Sequence, residues 1–208
     1  MNYTHFDFDK LQHEYQLVPT LIEPKLFRDN RGYFYESFNL KDFRNNINPF
    51  NKIHPNILLP QDIYQFYSFV QDNESVSSKG TLRGLHYQTG SYEQAKLVRV
   101  IKGSVYDVAV DIRPNSKTFG KWVGVHLSGE NHQQFFIPRG FAHGFIALED
   151  NTIFQYKCDN YYNKESEGAL NWDSVNIPWT NFIEKENILL SEKDNNCKTT
   201  LKDILKYK

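Results

Sequence analysis

Between residues 97 and 158 the chain is a succession of short β-rich runs cut by turn residues, and this limits it to a sheet-built fold. Residues 97–101 (LVRVI) meet Lys102-Gly103 and then 104–112 (SVYDVAVDI), a hairpin pattern with a glycine-containing two-residue break. Further strands are predicted over 121–127, 133–137, 144–148 and 152–158, at roughly the spacing of a sandwich or barrel. In 104–112, Tyr106, Val108, Val110 and Ile112 share one face, and Asp107, Ala109 and Asp111 share the other. That alternation predicts a strand with two differently solvated faces. The 13 Tyr and 16 Phe favour strands and a packed pocket over a helical bundle.

The 208 residues suffice for one domain with a buried core. Residues 1–20 read as a leading extension, and 44–62, rich in Asn and Pro, as a long loop. Residues 198–207 carry a short amphipathic helix pattern. A net charge of -1 without a basic stripe argues against nucleic acid as a partner. Cys158 and Cys197 form neither a CxxC pair nor a disulfide framework, which suits a reducing, cytoplasmic compartment. No leader pattern or membrane-length apolar run is visible, so no membrane partner is expected.

Three segments concentrate polar chemistry: RGLHYQ at 83–88, IPRGFAHGF at 137–145 and YKCDNYY at 156–162. His143 sits in the P-x-G-x-x-H arrangement of a second cupin motif, but the H-x-H of the first is broken, with Gln88 two after His86. Half a ligand set makes a poor metal site, so no metal is expected. His86 is then either a hydrogen-bonded strand histidine or an acid–base group. Taking a proton from carbon beside a ketone needs a base, a cation or donor at the enolate oxygen, and an acid on the opposite face. His86, Lys96 and Tyr156 supply those three types, although Tyr156 is also readable as a core tyrosine. Arg83 and Arg31 offer the planar fork that grips a diphosphate, or are surface charges.

The segments DNRGYFYESF (29–38), VQDNESVSSKGTLRGLHYQ (70–88), KLVRVIKGSVYDVAVDIRPNSKTFGKW (96–122), IPRGFAHGF and QYKCDNYY together resemble dTDP-4-dehydrorhamnose 3,5-epimerases over residues 21–196. The resemblance implies an all-β cupin jelly roll with short peripheral helices, homodimeric, without metal or other cofactor. It implies epimerisation of a dTDP-4-keto-6-deoxy sugar with His86 as base, oriented by Asp194 in LSEKD, and Tyr156 as acid. Lys96 corresponds to the residue near the keto oxygen, and His143 and Tyr162 to sugar-pocket residues. Arg83, Gln71 and Asn73 match nucleotide- or diphosphate-holding positions. Arg31, Phe34 and Glu36 match residues delivered by an exchanged N-terminal strand of the other subunit. Residues 44–65 are longer than the family pattern and read as an inserted loop. Three rivals remain open: a C3-only epimerase, a non-catalytic sugar-binding cupin, and a metal-dependent cupin enzyme.

Overall fold

The computed structural model describes residues 1–6, 17–47 and 68–206. Its strands form two antiparallel sheets. The first runs β1 (Asn2–His5), β2 (Thr20–Glu23), β10 (Gln134–Ile137), β7 (Lys96–Lys102), β12 (Thr152–Cys158), β5 (Gln71–Ser77). The second runs β13 (Glu167–Ala169), β6 (Leu82–Gln88), β11 (Phe141–Ala147), β8 (Ser104–Asp111), β9 (Trp122–Ser128). A separate hairpin, β3 (Phe27–Asp29) and β4 (Gly32–Phe34), stands apart from both. This is the expected all-β, cupin-type sandwich.

Three apolar layers hold it. Between the sheets, Val98, Val100, Phe135, Ile137 and Phe154 meet Ala109, Val123, Val125, Leu127 and Phe145. Outside the second sheet, Val108, Val110 and Ile112 pack under Leu170, Val175, Ile177, Trp179 and Ile183 of the C-terminal segment. Outside the first, Phe43 and Ile47 of α1 (Leu40–Asn46) and its C-cap cover Ile22, Leu97 and Phe136. Burying such side chains contributes roughly 1.5–3 kcal/mol each, which makes these layers the main stabilising term.

The predicted strands form with their ends shifted by about a residue, except that β11 begins at Phe141 rather than Gly144. Phe141 and His143 pair with Asp111 and Ala109 of β8, so sheet pairing overrides the local glycine signal. The two-solvation reading of 104–112 is corrected: the C-terminal segment covers one face, and Asp107 and Asp111 are completely buried on the other. Residues 44–46, expected in the long loop, belong to α1, because Asn39 caps that helix by accepting from Asp42 N–H. The rest of that loop and of the inserted 44–65 stretch lies outside the described residues, save Ile47, which closes α1. Among the described residues of 198–207, Leu201–Ile204 is helical (α3).

A glycine contact sets the register that matters most. His143 faces His86 and Phe145 faces Arg83, so Gly84 and Leu85 oppose Gly144 alone. This is a β-bulge. Gly84 has φ +137°, and a Cβ there would meet Gly144 Cα at 2.6 Å. In a regular strand, residues three apart point to opposite faces. The bulge turns Arg83 and His86 to the same side.

Candidate active site

A cavity of about 470 Å³ opens between the sheets, and His86, Lys96, His143, Tyr156, Arg83 and Asp194 are among the residues lining it. A smaller annex of about 120 Å³ shares His86, Lys96 and Tyr156 and adds Gln71, Asn73 and Tyr162. His86 comes from β6 of the second sheet; Lys96 and Tyr156 come from β7 and β12 of the first. The imidazole and the phenol therefore approach the cavity from opposite walls.

Asp194 reaches His86 through the C-terminal segment. Leu189 N–H donates to Gly80 C=O and Leu82 N–H donates to Leu189 C=O, both at 2.9 Å, which ties that segment to the start of β6. Ser191 then caps the one-turn helix α2 (Glu192–Asn196) by accepting from Asp194 N–H at 3.1 Å. The result is a 2.6 Å contact between His86 Nε2 and Asp194 Oδ1. Burial by itself would raise the Asp194 carboxyl, but hydrogen bonds from His86, Ser191 and Gly84 N–H hold it below the usual range. An ionised Asp194 only accepts, so Nε2 carries the proton and Nδ1 is left with its lone pair. Among the described residues Nδ1 has no hydrogen-bond partner.

Lys96 and Tyr156 are likewise without a hydrogen bond or ion pair among the described residues. Burial lowers the Lys96 ammonium, opposed by Cys158, Asp107 and Glu167. Burial, and next Cys158, raise the Tyr156 phenol, which keeps it a proton carrier at neutral pH. His143 is almost fully enclosed, its Nε2 3.0 Å from both Asp107 oxygens. Arg83 Nε donates to Ser77 Oγ and Nη2 to Val76 C=O, each at 3.1 Å, which aims the guanidinium along the rim.

The remaining residues singled out in the sequence divide. Gln71 donates to Asn73 Oδ1 at 2.9 Å, and Asn73 sits 3.9 Å from Cys158 Sγ, so these two build the annex wall. Tyr162 is half exposed, its hydroxyl donating to Glu167 Oε2 at 3.1 Å. Arg31 and Phe34 are on the β3–β4 hairpin and Glu36 just beyond it, all exposed and outside the cavity of their own chain. Gln88, where a first metal motif would have its second histidine, accepts Asn163 N–H at 2.8 Å and so braces the 161–163 loop.

A profile described as dTDP-4-dehydrorhamnose 3,5-epimerase matches residues 19–203. The chain belongs to the dTDP-4-dehydrorhamnose 3,5-epimerase family. It is 47% identical over 188 residues to the dTDP-4-dehydrorhamnose 3,5-epimerase of Escherichia coli K12, covering 90% of this chain and 92% of the relative. The crystal structure of the Elizabethkingia anophelis epimerase superposes with a TM-score of 0.75 at 47% identity, over 92% of this chain and 98% of that one. That of the Legionella pneumophila enzyme, solved with dTDP-4-keto-L-rhamnose, gives 0.74 at 42% identity, over 97% and 94%.

In this member of the epimerase family, two rim residues and one buried residue escaped the sequence reading. Lys193 pairs with Glu167 at 2.5 Å, next to the Tyr162 contact, and Asp107 anchors His143. Burial would raise the Glu167 carboxyl, but Lys193 and Tyr162 hold it low. Glu167 and Lys193 lie 26 positions apart in irregular sequence, and no local pattern announces their contact. Asp107 had a signal: a carboxylate in mid-strand, flanked by Tyr106 and Val108, calls for a partner.

Proposed function

We propose that the cavity epimerises a dTDP-linked 4-keto-6-deoxy-D-glucose at C3 and C5 to the 4-keto-L-rhamnose form. His86 Nδ1 removes the proton at C3, and the bonding pair moves into the C3–C4 bond, placing charge on the C4 oxygen. Lys96 steadies that oxygen. Tyr156 then gives its hydroxyl proton to C3 from the other face as the ketone re-forms. In the D-gluco chair H3 and H5 are axial on one side, so once the imidazolium has released its proton and the phenolate has regained one from solvent, the same base and acid serve both carbons. Asp194 orients the imidazole and stabilises the imidazolium that forms, as a carboxylate does for a general-base histidine elsewhere.

The observation that carries this reading is the placement of the imidazole and the phenol on opposite sheets across one cavity. Family membership and the ligand of the Legionella structure support the substrate class. Arg83, Gln71, Asn73, His143 and Tyr162 are assigned to the substrate's sugar and nucleotide. Arg31, Phe34 and Glu36 are assigned to the cavity of a second copy, in a homodimer that exchanges its hairpins. That assignment is supported by the exposure of Phe27, Tyr33 and Phe34 (54%, 51% and 70%), high for aromatic side chains. A cytoplasmic site of action accords with the two free cysteines.

Incubation with dTDP-4-keto-6-deoxyglucose in deuterated water tests the reading. Proton NMR is expected to show deuterium at both C3 and C5. Label at C3 alone marks a single-site epimerase, and no label at either carbon overturns catalysis.

A further inference from the structure

His143 is the second imidazole in the cavity, directly opposite His86 in the β11–β6 register. Each has a carboxylate on Nε2 and, among the described residues, no partner on Nδ1. Their surroundings differ. The His86 side chain is 31% exposed, whereas His143 is 8% exposed and Asp107 completely buried. Creating a cation costs more where water is absent, so the His143 site disfavours the imidazolium that a base must become. Lys96 and His86 add repulsion to that burial, and together they outweigh the attraction of Asp107 and hold His143 below the ordinary histidine range.

We infer that Asp107 is a positioning residue which fixes His143 as the neutral Nε2–H tautomer, so that His143 Nδ1 accepts a hydrogen bond from a sugar-ring hydroxyl. An ionised Asp107 has only acceptors, and both its oxygens face Nε2, so the ring proton resides on that nitrogen. Burial raises the Asp107 carboxyl above its ordinary value, and the His143 contacts and then the Lys96 charge oppose that rise without cancelling it. The tautomer assignment stands on the paired 3.0 Å contacts to Nε2. The strand pattern locks the arrangement. Asp107 pairs with Phe145 and His143 with Ala109, so the two side chains are diagonal neighbours on one sheet face, two residues apart in register. A neutral acceptor beside a neutral base also spares His86 the repulsion of a second cation. The inference rests on the epimerase reading for the identity of the hydroxyl, and on geometry alone for the tautomer.

Ring-nitrogen NMR of the protein with ¹⁵N-labelled histidine tests the tautomer without any change at Asp107, the His143 signals being assigned by their loss in His143→Gln. The expected result is a protonated Nε2 and a bare Nδ1 at neutral pH; a protonated Nδ1, or an imidazolium, overturns the inference. Asp107→Asn supplies the functional arm. For metal-bound histidines, removing the group that orients the ring costs on the order of 10- to 100-fold. The same loss is expected here in kcat/KM for the keto sugar, with dTDP affinity by calorimetry unchanged. Wild-type turnover with an Asp107→Asn variant of equal kcat/KM overturns the role of Asp107 and leaves the epimerase reading intact. Absence of wild-type exchange at C3 and C5 instead sinks that reading, while the tautomer measurement still decides the geometry.

Discussion

Replacing Asp194 by Asn tests the proposed base without touching it. The variant keeps the size of the side chain and the Ser191 cap to its N–H, and removes the charge that faces His86 across 2.6 Å. In the ground state the bond already has one charged partner, the carboxylate. In the transition state the ring becomes a cation as well, a gain of the order of one further charge-assisted hydrogen bond. Hydrogen bonds to charged groups are worth roughly 1.5–3 kcal/mol. At 1.36 kcal/mol per decade this predicts a fall in kcat of about 10- to 150-fold. An Asn amide that rotates its NH₂ toward Nε2 forces the ring into the other tautomer and deepens the loss, as it does in a Ser-His-Asp triad. The assay is initial-rate deuterium uptake at C3, followed by NMR at saturating substrate, with dTDP binding measured alongside. A variant exchanging C3 within about twofold of wild type would refute Asp194 as the partner of a general base.

Three further outcomes are expected. Tyr156→Phe, which keeps the ring and removes the only proton it can donate, is expected to retain exchange at C3 while product with inverted configuration falls by roughly 10²-fold or more; inversion at the normal rate assigns the acid elsewhere. Gly144→Ala drives a Cβ to 2.7 Å from Arg83 C=O and 3.1 Å from Gly84 Cα, so it is expected to cost about 1–3 kcal/mol in chemical denaturation and lower activity by shifting the bulge; an unchanged midpoint and rate would show that β6 yields freely. Asp111 accepts from Arg113, Ser116 and Thr118, which overcome the upward push of burial and hold its carboxyl low. It therefore stabilises the fold fully above about pH 4 and loses that contribution as pH falls through its folded value. Asp111→Asn should cost about 3–5 kcal/mol at pH 7, with the gap to wild type in thermal melts narrowing below about pH 4; a gap constant with pH would contradict the ionised state.

Legibility in the sequence followed the range of the interaction. Strand positions were readable because alternation and turn residues are local, and β12 was delimited to the residue. His86, Lys96 and Tyr156 were readable as candidates by residue type, because a carbon acid beside a ketone needs a base, a cation and an acid, and the fold brings the three to one cavity. Nothing local says that Arg83 and His86 share a side of β6, since three-residue spacing argues for opposite sides. Only the Gly84–Gly144 approach across two strands, 60 positions apart, decides it. The Asp194 partnership spans 108 positions and entered through resemblance alone. Asp107 was assigned to a differently solvated face because alternation reports that a strand has two faces, not what covers either one.

The interior polar groups fall into two sets, and the division favours catalysis over simple sugar binding. Asp111 with Arg113, and Asp159 with Arg139 and Ala95 N–H, are satisfied within the protein and brace turns. Their arrangement shows that this chain can pair a buried charge wherever stability requires it. Lys96 and Tyr156, partly enclosed by the sheets, lack such partners among the described residues, and His86 is satisfied on one nitrogen only. A binding module gains affinity from any well-placed donors, and it has no need of a proton acceptor facing a proton donor through the plane of its ligand. A proton-transfer site needs that opposition and needs it rigid, because a donor that must first reorganise forfeits much of its effect on the transition state. Two sheets clamped by three apolar layers provide the rigidity. The proposed base, cation and acid between them are the groups whose desolvation costs the fold stability and, on that proposal, lowers the barrier to moving a proton on carbon.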